Sequence, residues 1–194
     1  MAESEKENGK NLSEFIQKKL MENRTVFICG EVTQELAQEV SMRLLILKSL
    51  SDEPITIFLN SQGGHVESGD TIHDMIKYIN VPVKMIATGW VASAGTTIFL
   101  SVPKECRYSL PNTRFMIHQP SGGVRGGASD IVIEAEEILR IRKRVEALIS
   151  AATGQPLEKV SQDMERDHWM DTKEALDYGI ISKVITVCDE VKDC

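Results

Sequence analysis

Residues 83–100 read VKMIATGWVASAGTTIFL. Val83–Ala87 has the apolar, β-branched character of a buried strand, and Ser93–Leu100 reads as a buried helix. A strand that passes through a few small residues into a buried helix is a building unit of a parallel α/β sheet. Ser93 stands at the junction, between Ala92 and Ala94 with Gly95 following. Small residues there let two elements pack closely, and a serine caps a helix well. Whether Ser93 does more depends on the rest of the chain.

Outward from this stretch the same rhythm continues. Thr25–Cys29 (TVFIC) and Ile55–Leu59 (ITIFL) read as buried strands. Between them Thr33 is placed to cap a helix with Leu36, Val40, Leu44 and Leu47 at helical spacing. A polar, glycine-rich turn, NSQGG at 60–64, leads into a helix with Ile72, Met75, Ile76 and Ile79 on one face. Cys106–Leu110 and Phe115–Ile117 are further short strands. This alternation predicts a parallel sheet with right-handed crossovers. Beyond Pro120, the stretch SGGVRGGAS reads as a flexible connection. It precedes a long helix predicted from about residue 130 to 153, with Ile131, Ala135, Ile138, Ile141, Val145, Leu148 and Ala152 forming a stripe. Gly154 is its expected C-cap, and Pro156 opens another helix. Asp171 and Glu174 fit a capping box for a helix ending at Gly179. Ile180–Val187 is expected to close the chain as a strand. An apolar stripe hung after a glycine-rich hinge needs a cover, either from its own domain or from a partner subunit.

Composition bounds the function. The chain has 194 residues, enough for one domain, with 42% hydrophobic and 26% charged residues. A net charge of −7 without a basic stripe argues against nucleic-acid and anionic-membrane partners. No apolar run has the length of a membrane span, and the polar N-terminus lacks a signal-peptide core. Residues 1–11 are expected to be disordered, with a single domain over 12–194. The four cysteines, Cys29, Cys106, Cys188 and Cys194, show no CxxC pairing, so a cytoplasmic, reduced chain is the simplest expectation.

Three features bear on Ser93. His118 in MIHQP ends an apolar strand, where α/β sheets place their chemistry, and its ordinary pKa suits a general base. Asp167 in MERDHWM borders apolar residues, and a carboxylate pressed toward a core needs a partner such as a histidine Nδ1–H. Gly63 and Gly64 allow close backbone approach, so the amides of Gly63 and Ala94 are candidate oxyanion donors. The order Ser, His, Asp and the valine at position 91 exclude the GxSxG pattern of α/β-hydrolases. Asp70, His73, Asp74 and His65 give too few facing ligands for a metal, and Trp90 and Trp169 read as packing residues.

Four stretches together carry a family resemblance. NSQGGHVESG, GWVASAGTTIFL, LPNTRFMIHQPSGGVRG and ERDHWM with ALDYGIISKV resemble, in order and spacing, the motifs of the ClpP family, the proteolytic subunits of ATP-dependent Clp protease. The resemblance runs from about Leu12 to Val187. It implies a crotonase-like α/β fold whose twisted, parallel-rich sheet carries a long handle helix, here within about 119–153. It implies a serine endopeptidase with Ser93 as nucleophile, His118 as base, Asp167 as orienting carboxylate and the Gly63 and Ala94 amides as oxyanion hole, with no cofactor and no metal. The implied partners are further copies of the chain in heptameric rings stacked as a tetradecamer, or a second ClpP-like subunit in a mixed ring. A Clp (Hsp100) ATPase unfoldase and unfolded protein substrates are also implied.

Two departures concern the unfoldase. Thr56 stands in TIFLN where the family commonly has an aromatic residue, and residues 1–11 lack the family's apolar pore segment. Three other readings compete: a non-catalytic or regulatory ring subunit, a crotonase acting on an acyl-CoA thioester, and a Ser-Lys signal-peptide peptidase. The crotonase has no use for a serine–histidine pair. The peptidase would need Lys84 or Lys104 at Ser93.

Overall fold

The computed structural model describes residues 2–123 and 125–192, and for residues 2–11 the backbone alone. Helix α1 (Ala2–Glu22) starts well before the polar-to-apolar change at Leu12. The expectation of disorder over 1–11 falls on the stretch described only as backbone.

Strands β1 (Thr25–Val32), β2 (Ile55–Gly64) and β3 (Val83–Ala92) lie side by side in parallel, followed by β4 (Arg107–Ser109) and β7 (Lys183–Val184). Strand β5 (Arg114–Ile117) pairs in parallel with the far end of β3, and β6 (His168–Met170) pairs antiparallel with β5. The intervening helices are α2 (Gln34–Leu50), α3 (Val66–Tyr78) and α4 (Ala94–Phe99). The chain closes through α5 (Ala128–Thr153), α6 (Leu157–Asp163) and α7 (Thr172–Tyr178).

The local signals act as their chemistry requires. Thr33 accepts a hydrogen bond from the Leu36 N–H at the start of α2. Asp171 and Glu174 form a reciprocal capping box, and Gly154 and Gly179 end their helices in the left-handed conformation. The α2 stripe buries Ala37, Val40, Leu44 and Leu47 against a core that includes Ile28, Ile57, Leu59 and Phe99. The α3 stripe buries Ile72, Ile76 and Ile79 in the same core.

Three expectations change. β2 and β3 are each ten residues long, so NSQGG belongs to a strand and not to a turn after it. Gly63 and Gly64 pair with Glu31 and Val32 of β1, which also runs longer than TVFIC. Backbone pairing depends on the neighbouring strand, and glycine's poor strand propensity does not forbid it. Ile180–Val187 is a strand only at Lys183–Val184; Ile180 and Ile181 are fully buried outside the sheet. Cys29 and Cys188 are free thiols.

Arg107 is a buried charge that joins the sheet to the helices. It donates to the carbonyls of Ile180 and Ala152, and burial lowers its pKa to about 10. Helix α5 is divided along its length. Val145, Glu146 and Ile149 are buried, and Ile141, Leu148 and Ala152 pack against the core. In its first half Ile131, Val132, Ile133 and Leu139 are exposed. Among the described residues, no helix is long and apolar enough to cross a membrane.

Candidate active site

The site is built at the far end of β3, where the strand passes through one residue into α4. That residue is Ser93, with φ 56° and ψ −126°. A positive φ is costly for a residue with a side chain and persists only when its surroundings enforce it. Here the Ser93 N–H donates to the Met116 carbonyl at 3.0 Å. The Thr96 hydroxyl reaches the carbonyls of both Val91 and Met116. The turn is thereby pinned to β5, the strand that delivers His118.

The small neighbours are needed for close approach. A Cβ on Gly63 would lie 2.6 Å from the Ser93 Cβ and 2.8 Å from the Ala92 carbonyl. A Cβ on Gly95 would meet the Ser61 carbonyl at 3.0 Å, and one on Gly69 would meet the Ala94 Cβ at 3.1 Å.

Ser93, His118 and Asp167 come together across the sheet. The His118 Nε2 lies 2.8 Å from the Ser93 Oγ, and its Nδ1 lies 3.1 Å from an Asp167 carboxylate oxygen. With the Nδ1–H donated to Asp167, Nε2 is left to accept the serine proton, the tautomer that a general base requires. The antiparallel pairing of Ile117 with His168 sets the two chain segments opposite each other. The Asp167 side chain is 62% exposed and that of His118 only 23%, so packing holds the histidine and does not hold the carboxylate.

The two amides expected to serve as oxyanion donors differ. Ala94 is the first residue of α4, where no preceding turn of helix claims the N–H. The Gly63 N–H is committed to the Ser61 Oγ at 3.1 Å. Gly63 therefore stands beside Ser93 as backbone that nothing larger can replace, while its own amide is engaged elsewhere.

The apolar recess beside Ser93 has a volume of about 30 Å³ and includes Val66, Thr97, Ile117, Val145 and Ile149 in its wall. A larger cleft of about 590 Å³, with His73, Lys77 and Arg107 in its wall, lies apart from the three residues. Asp70 is engaged by both Nη atoms of Arg144, and His73 leans on Asp74. Among the described residues no three metal-ligating side chains converge. Trp90 and Trp169 stack at 6.4 Å between centroids, with the Arg114 guanidinium 4.3 Å above the Trp169 ring.

Sequence reasoning missed Arg142. On α5, it donates to Glu146, Gln119 and Glu165, at 2.8, 2.8 and 2.9 Å. The bonds to Glu146 and Glu165 hold its pKa above the ordinary arginine value, the one to Glu146 contributing most. Its partners lie up to 23 residues away in sequence, so no local pattern announces it.

A serine in a strained strand-to-helix turn, joined through histidine to a carboxylate on a parallel α/β sheet, is the arrangement of a serine hydrolase. The family model described as Clp protease matches residues 7–187, and the chain belongs to the Clp protease family. It is 56% identical over 167 residues to the ATP-dependent Clp protease proteolytic subunit 3 of Rhizobium johnstonii, covering 86% of each chain. It is 52% identical over 162 residues to proteolytic subunit 2 of Pseudomonas aeruginosa, covering 84% of this chain and 81% of that one. The fold matches the solved structure of ClpP1 from Listeria monocytogenes with a TM-score of 0.83 at 55% identity, covering 91% of this chain and 99% of that one. A point mutant of the same Listeria protein matches at 0.86 and 56% identity, with the same coverage.

Proposed function

We propose that the chain is a catalytic serine endopeptidase subunit. The observation that carries this reading is the continuous hydrogen-bonded chain from Ser93 through His118 to Asp167. His118 Nε2 takes the Ser93 proton as Oγ attacks the peptide carbonyl carbon. The carbonyl oxygen becomes the oxyanion, stabilised by the Ala94 amide at the start of α4. The tetrahedral intermediate expels the amine, which leaves with the proton that His118 returns. Water, deprotonated by His118, then releases the acyl group from Ser93. Asp167 keeps the imidazole in the required tautomer and stabilises its charged form.

A fluorophosphonate probe tests this directly. It should label Ser93 and no other residue, read by peptide mass spectrometry. An unlabelled Ser93 in correctly folded protein would leave the non-catalytic ring subunit as the better reading.

The assembly follows the same family logic. Stacked heptameric rings need a contact between subunits of opposite rings, and the exposed first half of α5 is a suitable surface. Ile133 is 63% exposed in the single chain, so an aspartate there costs the isolated fold little. Buried unpaired in an interface, the same carboxylate is costly. Ile133→Asp should therefore leave the far-UV circular dichroism unchanged and split the particle into single rings or smaller species in sedimentation. An intact tetradecamer would remove α5 from the interface.

Unfolded polypeptide would be delivered by a Clp-type ATPase. The face of the sheet opposite the helices has a cleft of about 510 Å³, with Thr56, Phe58, Ile86, Leu110, Ile185 and Val191 in its wall. Phe27 stacks on Phe58 at 5.0 Å beside it. Thr56 withholds the contact area of an aromatic ring at this surface. Weakened docking at each site multiplies around a ring, which favours a mixed ring in which a second ClpP-like subunit supplies the stronger face.

A further inference from the structure

We propose that Arg142 is a positioning residue for the reaction, holding the Asp167 segment against His118 from the long helix α5. This rests on Ser93, His118 and Asp167 acting as the triad.

The guanidinium is anchored first on its own helix. Its Nε donates to Glu146 at 2.8 Å, and the same carboxylate oxygen accepts from the Ser161 hydroxyl at 3.0 Å. Glu146 is buried, so its charge requires a fixed cation beside it. With that edge fixed, the planar fork reaches outward in two directions. Nη1 donates to the Gln119 side-chain oxygen at 2.8 Å, and Nη2 donates to the Glu165 carboxylate at 2.9 Å. Gln119 follows His118 in the chain, and Glu165 lies two residues before Asp167. The two segments are also tied to each other. The Gln119 N–H donates to the Met164 carbonyl at 2.6 Å, and its side-chain amide donates to the Glu165 carbonyl at 2.9 Å.

Arg142 therefore closes a ring of bonds that contains the backbone on both sides of the His118–Asp167 contact. This matters because the Asp167 side chain is 62% exposed. An exposed carboxylate finds water at little cost, so its place opposite Nδ1 depends on where its backbone is held. A lysine at 142 keeps the charge and loses the fork, and cannot meet three acceptors on divergent lines.

The experiment measures kcat and KM for a short fluorogenic peptide with the full-length protein, for Arg142→Met, Arg142→Lys, Asp167→Asn and the Arg142→Met/Asp167→Asn double variant. Arg142→Met and Arg142→Lys should each lower kcat about 10- to 100-fold with KM within about twofold, since misplacement of a catalytic group by an ångström costs this order. Because Arg142 acts through Asp167, Arg142→Met should slow the Asp167→Asn enzyme by less than about twofold further. A parental kcat in Arg142→Lys, or penalties that multiply in the double variant, would overturn the proposal. Sedimentation accompanies each variant. If Arg142→Met does not assemble to the parental mass, Gln119→Leu breaks the clamp from its other end without unpairing Glu146. It should show the same kcat loss and the same lack of additivity, and parental turnover by it overturns the proposal. Ser93→Ala serves as the control on the underlying reading. If it keeps activity the triad itself is wrong, whereas an inactive Ser93→Ala beside a fully active Arg142→Lys removes Arg142 alone.

Discussion

Ser93→Ala should abolish peptide hydrolysis while leaving the fold intact. The substitution removes one oxygen from a side chain whose neighbours, Ala92 and Ala94, are already small. Alanine carries the same Cβ through the same turn, and the turn itself is held by the Ser93 N–H bond to Met116 and by the Thr96 hydroxyl. Neither depends on the Ser93 Oγ. The expected loss in kcat is on the order of 10⁵- to 10⁶-fold, or about 7–8 kcal/mol of transition-state stabilisation. Hydrolysis of a fluorogenic peptide measures it, with thermal unfolding as the check on the fold. Cleavage at the parental rate by pure Ser93→Ala protein would refute Ser93 as the nucleophile.

Gly63→Ala should also be damaging, for a different reason. The added methyl has no room, being placed 2.6 Å from the Ser93 Cβ and 3.0 Å from the Ala94 N. The backbone there is also strained for any residue with a side chain, at φ +93°. Relief requires the Ser93 turn to move away from β2, which strains the bonds to Met116 that pin it to β5 beside His118. The 2.8 Å contact between Nε2 and Oγ then opens. We expect kcat to fall about 100-fold or more. Fluorophosphonate labelling of Ser93 should slow in parallel. Turnover within about threefold of the parent would mean that the turn can shift without loss of alignment.

Much of this architecture is legible in the sequence because its causes are local. Caps at Thr33, Asp171 and Gly179 and the stripes of α2 and α3 follow from residue type and spacing. Ser93 and His118 could be singled out because each follows an apolar segment of the sheet, and Asp167 because it borders one. The features that escaped depend on pairing across the fold. NSQGG reads as a turn until β1 is placed beside it, and HWM reads as part of an acidic cluster until β5 supplies a partner. Arg107 and Arg142 are two among many basic residues in sequence. Only in the folded chain is one buried against the carbonyls of Ile180 and Ala152, and the other joined to two segments near the site. The commitment of the Gly63 amide to Ser61 has the same origin, since a hydroxyl two residues away gives no sign of its direction.

The division of α5 has an energetic consequence. Its second half is held by the core through Val145 and Ile149, but Ile131, Val132, Ile133 and Leu139 have no such support. A helical stretch of a dozen residues is only marginally stable in water without tertiary contacts. In an isolated subunit the amides before about residue 140 therefore open with a small free energy and exchange rapidly with solvent, and protection rises toward Gly154. Any surface that covered the first half would have to offset the entropy of fixing it, so covering this half and folding it would be a single coupled event.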